Sequence, residues 1–406
     1  MTLRVLYISG NGFPMSESDA RGVFSFEHAK ALQAEGVAVT AVDLQREDFS
    51  EGQFNGLDIL RLPRLRPLLK TLDFPRLRKY FMTLWRIRQE QEYDWIVFSF
   101  FYAKYIPFVL LLKRANTKAM IIAHGGDVMP VNLVRRWIKK FLYRSVHLVT
   151  PVSDYTETLL SCLVNRKNSD SKKIVTVYNG IDFDKLRQVQ VPGQTLRAQC
   201  GFAAQDFVVL SVCNLVKRKG VDILVKSING LLDRNLPIKH VIIGKGPELD
   251  ALTALAREGG HFDCFRFISN VSTTELADYY NMCDVYSMIS ITDWDREQTE
   301  GFGIAYAEAM AHGKPVIGGG GCGSSTPVKH GFNGLLVDPY ADTVVQDVAV
   351  ALSRFLTDKE FYRQSSQNAK WYVENFTSWR SNAKATIAAM RRLDSPDVNS
   401  KAGFQA

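Results

Sequence analysis

The sequence predicts an α/β architecture of two doubly wound, parallel-sheet domains facing each other across a cleft. Three observations carry that expectation. The chain has 406 residues, more than one hydrophobic core usually serves. Short, almost continuously apolar runs alternate with helical segments, the pattern of parallel sheets covered on both faces. The alternation pauses at a polar segment with a Pro-Gly pair, Lys185–Cys200, and then restarts. Domains are therefore expected at 1–190 and 191–375, with 376–406 a C-terminal helix and tail able to return to the first domain.

In the first half, Leu3–Ser9 reads as a strand closed by Gly10-Asn11-Gly12. A helix follows from about Gly22, with Val23, Phe26, Ala29 and Leu32 on one face and Gly36 as its stop. Further strands are expected at Val37–Val42, Trp95–Phe100, Ala119–Ala123, Leu148–Pro151 and Val175–Tyr178. In the second half they are expected at Phe207–Val212, Val241–Gly244, Phe265–Ser269, Asp284–Ile289, Pro315–Gly318 and Leu335–Asp338, with helix after about Asp358. Tyr93–Leu112 is hydrophobic but carries Asp94, Lys104 and Pro107, which suits a buried strand and a helix better than a membrane span.

Composition narrows the class. Hydrophobic residues make up 46% and charged residues 23%, ordinary globular usage that argues against a disordered or fibrous chain. Six cysteines are scattered without a CxxC pair, so neither a zinc site nor a disulfide framework is expected and a reducing, cytoplasmic setting is. No apolar segment with a cleavage site follows the N-terminal strand, so no signal peptide is expected. The formal charge of +8 suits an anionic partner.

The strongest chemical signal is Glu300–Pro315, EGFGIAYAEAMAHGKP. Gly301 and Gly303 free the backbone where a helix of good helix formers begins, and Gly313 and Pro315 stop it. The unsatisfied amides and positive dipole of such a helix start suit a diphosphate. Glu300 is expected in the loop above the anion and Glu308 about two turns down. Carboxylates beside a phosphate site are explained by sugar and ribose hydroxyls, which donate to them.

These residues, with GGGGCGSSTPVKHGFNGLLVDP after them, resemble the signature of the retaining glycosyltransferases of family 4, which have the GT-B fold. Ser211–Gly220 (SVCNLVKRKG), Ile243–Glu248 (IGKGPE), Val177–Asp182 (VYNGID), His124–Asp127 (HGGD) and the glycine loop ending at Gly22 agree in order and spacing. The resemblance covers most of the chain. It implies transfer of a sugar from a nucleotide-diphosphate donor to a saccharide or lipid-linked acceptor with retention of configuration, in surface polysaccharide or glycolipid synthesis.

By that resemblance Glu300 would bind hydroxyls of the donor sugar and Glu308 the nucleotide ribose. Lys219 would meet the diphosphate, assisted by the backbone amides of Gly301, Phe302 and Gly303. His124 would sit beside the reacting carbon, and Gly22 would let the first loop approach phosphates or acceptor. Gly12, Asp127 and Asn179 are further cleft candidates. Two departures stand out. Asn214 occupies the strand-loop where many members have Arg, with Arg218 as a compensating cation, and Thr326 stands where many have Glu. The loop Ile291–Thr299 before Glu300 is also long.

A leaving diphosphate needs its growing charge neutralised, by a metal or by fixed cations and a helix start. Asp293-Trp294-Asp295 invites a metal reading, but it lies outside the fold in which D-x-D binds one, so no metal or other cofactor is expected. A histidine ending a strand is either a packed, hydrogen-bonded residue or a site residue; the two glycines beside His124 favour the site. A nicotinamide-dependent oxidoreductase is the rival, weakened because Met15 holds the third fingerprint position, although Asp43 ends the second strand. An epimerase or phosphorylase of the same fold is another, and a non-catalytic binder of the sugar nucleotide a third.

Basic residues concentrate at Arg61–Arg88 and Arg135–Arg144, interleaved with Phe74, Tyr80, Phe81, Trp85, Trp137 and Phe141. Prolines 63, 67 and 75 leave only the later part of the first run for a helix. The runs read equally as solvated faces or as peripheral contact with an anionic membrane, the latter suiting a lipid-linked acceptor. No nucleic-acid module is seen, and nucleic acid is not expected as a partner.

Overall fold

The computed structural model describes residues 2–16, 22–65, 73–90, 92–100, 116–129, 133–164, 173–269 and 271–393. The helix expected after Phe100, Pro67 and the tail beyond 393 lie outside the described residues.

The first half runs β1 (Arg4–Ser9), α1 (Val23–Ala34), β2 (Ala38–Arg46), β3 (Ser50–Phe54), β4 (Leu57–Pro63), α2 (Phe74–Glu90), β5 (Trp95–Phe98), β6 (Lys118–Ala123), α3 (Leu133–Ser145), β7 (Leu148–Pro151) and α4 (Asp154–Val164). Two short helices, α5 (Phe183–Leu186) and α6 (Gly193–Gln199), lead to the second half. There the order is β8 (Phe207–Val212), α7 (Val221–Leu232), β9 (Ile238–Ile243), α8 (Leu249–Glu258), β10 (Phe265–Ile268), α9 (Thr273–Met282), β11 (Val285–Met288), α10 (Ile304–Ala311), β12 (Val316–Gly319) and β13 (Gly334–Val337). Helices α11 (Val344–Thr357), α12 (Lys359–Phe376) and α13 (Trp379–Arg392) follow.

The strands form two sheets, β3-β4-β2-β1-β5-β6-β7 and β10-β9-β8-β11-β12-β13. All neighbours are parallel except β3 and β4. Central strands such as β5 and β6 bury nearly every residue, as strands covered on both faces must. The fold expectation of two parallel-sheet α/β units holds.

Two local expectations need correction. Val175–Tyr178 is not a strand. Only Ile174 forms a bridge, to Val149, and the Val175 and Val177 amides donate to β7 carbonyls before the chain leaves for the second half. The β3–β4 hairpin was not anticipated; it turns on Asn55 and Gly56, both at positive φ, the pair such a tight turn favours. Helix α2 starts at Phe74 with Pro75 in its first turn, where the missing amide costs nothing.

The C-terminal segment crosses back. The Ser378 hydroxyl caps α13, and α13 packs along α1. Trp379 meets Phe24 at 5.4 Å between ring centroids, and Thr386 lies 3.3 Å from His28 Nε2. Gly180 is required at this crossing, because a Cβ there would lie 2.6 Å from the Trp379 backbone.

Candidate active site

Strand order reverses around β1/β5 in one sheet and β8/β11 in the other. Loops at the carboxyl ends of such strands border a crevice, and here the two sets of loops touch. A Cβ on Gly301 would lie 2.1 Å from the His124 carbonyl oxygen, and one on Gly126 2.9 Å from the Glu297 carbonyl. Glycine is therefore the only side chain that lets the halves meet this closely at residue 301.

The loop after β8 supplies cations. A short 3-10 turn, Lys217–Lys219, ends at Gly220, whose φ of +61° and approach to the Ile289 carbonyl demand glycine. That turn aims Lys219 and Arg218 at Glu300. The Lys219 ammonium donates to Glu300 Oε2, and Arg218 Nη1 lies 3.9 Å from the same oxygen. Burial alone would raise the Glu300 carboxyl, but Lys219 and Arg218, with the Gly303 amide, outweigh it and hold the group below its ordinary value. Arg218 Nε and Nη1 are buried without hydrogen-bond partners among the described residues. Asn214 is exposed on the same loop.

Gly303, at φ +89°, starts α10. Because the helix begins only at Ile304, Glu308 lies just over one turn inside it, not two. Its carboxylate accepts from the Tyr280 hydroxyl of α9 at 2.7 Å, and burial raises it above the ordinary carboxyl value. The Phe302 ring is buried and packs near Tyr178, which leaves only its backbone to border the loop.

On the facing side, His124 ends β6 flat against Phe100, with ring centroids 3.9 Å apart. Its Nε2 is 2.5 Å from the Ser99 carbonyl. A carbonyl only accepts, so Nε2 carries the proton and Nδ1 is the bare acceptor. Burial depresses the imidazole to about 4 despite the Ser99 bond, so the ring is neutral at physiological pH. Asp127 accepts from the His124 amide at 2.9 Å and the Tyr143 hydroxyl at 3.2 Å. Burial lifts its carboxyl to about 6.

Gly12 and Gly22 form one feature. Gly22, at φ +67°, begins α1 with its Cα so close to the Gly12 carbonyl that a Cβ would lie 2.0 Å from that oxygen. Asp43 accepts from the Phe13 amide and pairs with Arg46 at 2.7 Å, so its carboxylate is engaged in holding this loop. Asn179 is buried with its side-chain oxygen unpartnered among the described residues. Thr326 is buried at the junction of the halves, where its hydroxyl accepts from the Asp154 amide that opens α4 at 3.2 Å.

Sequence reasoning missed one cluster. Residues Asp293–Gln298 fold into a small hairpin closed by two backbone hydrogen bonds between its ends, carrying Glu297 at φ +53°. Glu297 Oε2 lies 3.4 Å from Lys139 and 3.7 Å from Arg135 of α3. Hairpin, α3 and the His124 loop enclose a cavity of about 770 Å³. The long loop and the basic run were both visible in the sequence, but nothing there paired them.

Among the described residues no group of three or more His, Cys, Asp or Glu side chains is placed to hold a metal ion. Asp293 accepts instead from the Arg296 amide. No helix among the described residues is long and apolar enough to cross a membrane.

Comparison with known proteins bears on the family and the fold. The family model Glycosyltransferase Family 4 matches residues 22–185 and Glycosyl transferases group 1 matches residues 193–371. A GDP-mannose-dependent α-(1-6)-phosphatidylinositol monomannoside mannosyltransferase of Mycobacterium tuberculosis is 31% identical over 259 residues, 63% of this chain and 65% of that protein. The match thus spans less than two thirds of that relative. Sucrose-phosphate synthase from Thermosynechococcus elongatus has a TM-score of 0.76 at 20% identity, covering 97% of this chain and 99% of its own. Anabaena HepE, solved with UDP and glucose, has a TM-score of 0.72 at 18% identity, covering 96% and 100%. At those identities the structural likeness speaks for the fold, GT-B. With both halves matched in order by the two models, the chain belongs to the family 4 glycosyltransferases.

Proposed function

We propose that the protein transfers a sugar from a nucleotide-diphosphate donor to a saccharide or lipid-linked acceptor, with retention and without a metal. The observation that carries this reading is the convergence of Lys219, Arg218 and the start of α10 on one point held by Glu300. Buried guanidinium nitrogens without partners are costly, and a diphosphate would satisfy them. Glu300 occupies the cations' anion position. On donor binding its carboxylate passes to sugar hydroxyls while the phosphates take Lys219 and Arg218. As the sugar–phosphate bond breaks, charge grows on the diphosphate against these cations and the amides of Gly301–Gly303, where it is stabilised without solvent reorganisation.

His124, neutral with Nδ1 bare, aligns a hydroxyl of the reacting sugar as an acceptor and contributes no charge. Glu308 receives the ribose. The family's retention fits attack by the acceptor on the face the leaving group departs from. The oxidoreductase reading is not favoured: Asp43, the acid the sequence offered for a dinucleotide ribose, is engaged by the Phe13 amide and Arg46. The mannosyltransferase relative supports a lipid-linked acceptor, and so does α3. Its Leu133, Trp137 and Phe141 are 73%, 71% and 67% exposed between Arg135, Arg136 and Lys140, a face suited to an anionic membrane.

A thermal-shift series with UDP, GDP, ADP and dTDP in EDTA tests the donor site. One nucleoside diphosphate stabilises the protein through mass action; no stabilisation by any of them would refute the reading. Flotation with anionic vesicles at low salt tests α3, and absence of binding removes the membrane.

A further inference from the structure

Beside His124, the cavity of about 770 Å³ has an apolar wall from α3, with Ile138 and Leu142, and cations at Arg135, Lys139 and Arg296. Lys139 is largely buried, its side chain 18% exposed, and it reaches both the Met129 carbonyl at 2.5 Å and Glu297 at 3.4 Å. Arg135 stands behind the same carboxylate. Glu297 belongs to the other half of the molecule. Its backbone takes a positive φ that non-glycine residues seldom adopt, its carbonyl seats on Gly126, and its Oε1 is buried without a partner among the described residues. A strained backbone and a half-satisfied carboxylate are both tolerated to hold one negative charge over two cations in a cavity whose lining also includes Asp127, Arg296 and Gln298.

We propose that this cavity is the acceptor pocket and that the acceptor carries an anionic group, a phosphate, which takes Lys139 and Arg135 from Glu297. Glu297 is thus a specificity-determining residue: it neutralises Lys139 and Arg135, and its carboxylate repels a phosphate that cannot displace it. A neutral glycan gains nothing from the exchange and would leave two cations facing Glu297 unchanged. The inference rests on the donor site lying at Lys219, which is not among the described residues that line this cavity.

The test is calorimetric titration of inorganic phosphate and of dihexanoyl phosphatidic acid into protein saturated with the nucleoside diphosphate that stabilises it, so that Lys219 and Arg218 are already occupied. Phosphate binds, E297Q tightens it about tenfold and K139Q weakens it about tenfold, the scale of a charge-assisted contact. A lipid source adds a further gain of about tenfold or more for the phosphatidic acid, whose chains meet the apolar wall; equal affinities assign a free phosphate. Phosphate binding indifferent to both substitutions, or none in wild type and E297Q alike, overturns the proposal. Failure of every nucleoside diphosphate to bind is a different result, which overturns the glycosyltransferase reading itself.

Discussion

Lys219 and Arg218 act on the same oxygen of Glu300, yet their expected losses differ. Lys219→Ala removes a direct ionic hydrogen bond, and turnover is expected to fall about 100-fold or more, the cost of one preorganised donor to a developing charge. Arg218→Ala removes the more distant cation, with a smaller loss carried mainly in KM for the donor. Steady-state kinetics at saturating acceptor separates the two; equal wild-type turnover in Lys219→Ala would take that residue out of the site. Gly22→Ala combines positive φ with a clash on the Gly12 carbonyl, so a loss of about 2 kcal/mol or more is expected in urea unfolding. These residues were legible in the sequence because their types and spacing are chemically restrictive. What each one touches was not: Glu300 looked like a free carboxylate above an anion, and the structure places it against both cations.

At the scale of elements, the contact between the halves rests on α4 as well as on the glycines. Thr326 gives the first amide of α4 an acceptor and stands where the family resemblance leads one to expect a glutamate. Thr326→Val is expected to cost about 1 kcal/mol, the value of one buried hydrogen bond, measurable as a lowered urea midpoint. Restoring the glutamate, Thr326→Glu, buries a carboxylate at the junction and is expected to lower stability more than the valine does. On α3, replacing Trp137 and Phe141 together by Glu leaves thermal stability nearly unchanged, because both rings face outward. The same change abolishes anionic-vesicle flotation if this face meets a membrane. The strands β8, β9, β11, β12 and β13 were readable from apolar runs because near-complete burial leaves little choice of residue. The β3–β4 hairpin at the sheet edge was not, since half-exposed strands carry a weaker pattern, although Asn55-Gly56 was a usable turn signal.

For the whole molecule, buried histidines couple stability to pH: His124 and His312, each depressed to about 4 by burial, and most deeply His240 and His28. His240 is fully buried; Ser211 donates its one hydroxyl proton to the Ser287 carbonyl, so it must accept from His240 Nε2 at 2.9 Å, and Nδ1 has no partner among the described residues. His28 is equally buried, between Tyr7 of β1 and Thr386 of α13. Burial depresses both from 6.5 to about 3. The unfolded chain therefore takes up protons below pH 6.5 that the native state refuses. Stability is full above that pH and falls as pH drops toward 3, by at most about 2 kcal/mol per histidine at pH 5. Asp127, lifted to about 6 by burial, works in the opposite sense with a smaller shift. The urea midpoint is expected to fall between pH 7 and pH 5, and His240→Gln to flatten that fall; a midpoint independent of pH would contradict the account. Truncation after Phe376 strips α13 from α1 and is expected to destabilise the first sheet, detectable as an earlier thermal transition.

The sequence by itself determined the number of sheets, their parallel character, the family and the residue types at the donor site. Each of these follows from local restrictions: apolar runs, helix starts, and glycines where no side chain fits. Only the tertiary structure decided which charges meet. Glu297 with Lys139, Thr326 with α4, and His28 with α13 are separated by more than 150 residues in each case. Pairing across such distances depends on where two sheets and a returning helix come to rest, a property of the packed whole that no local pattern encodes.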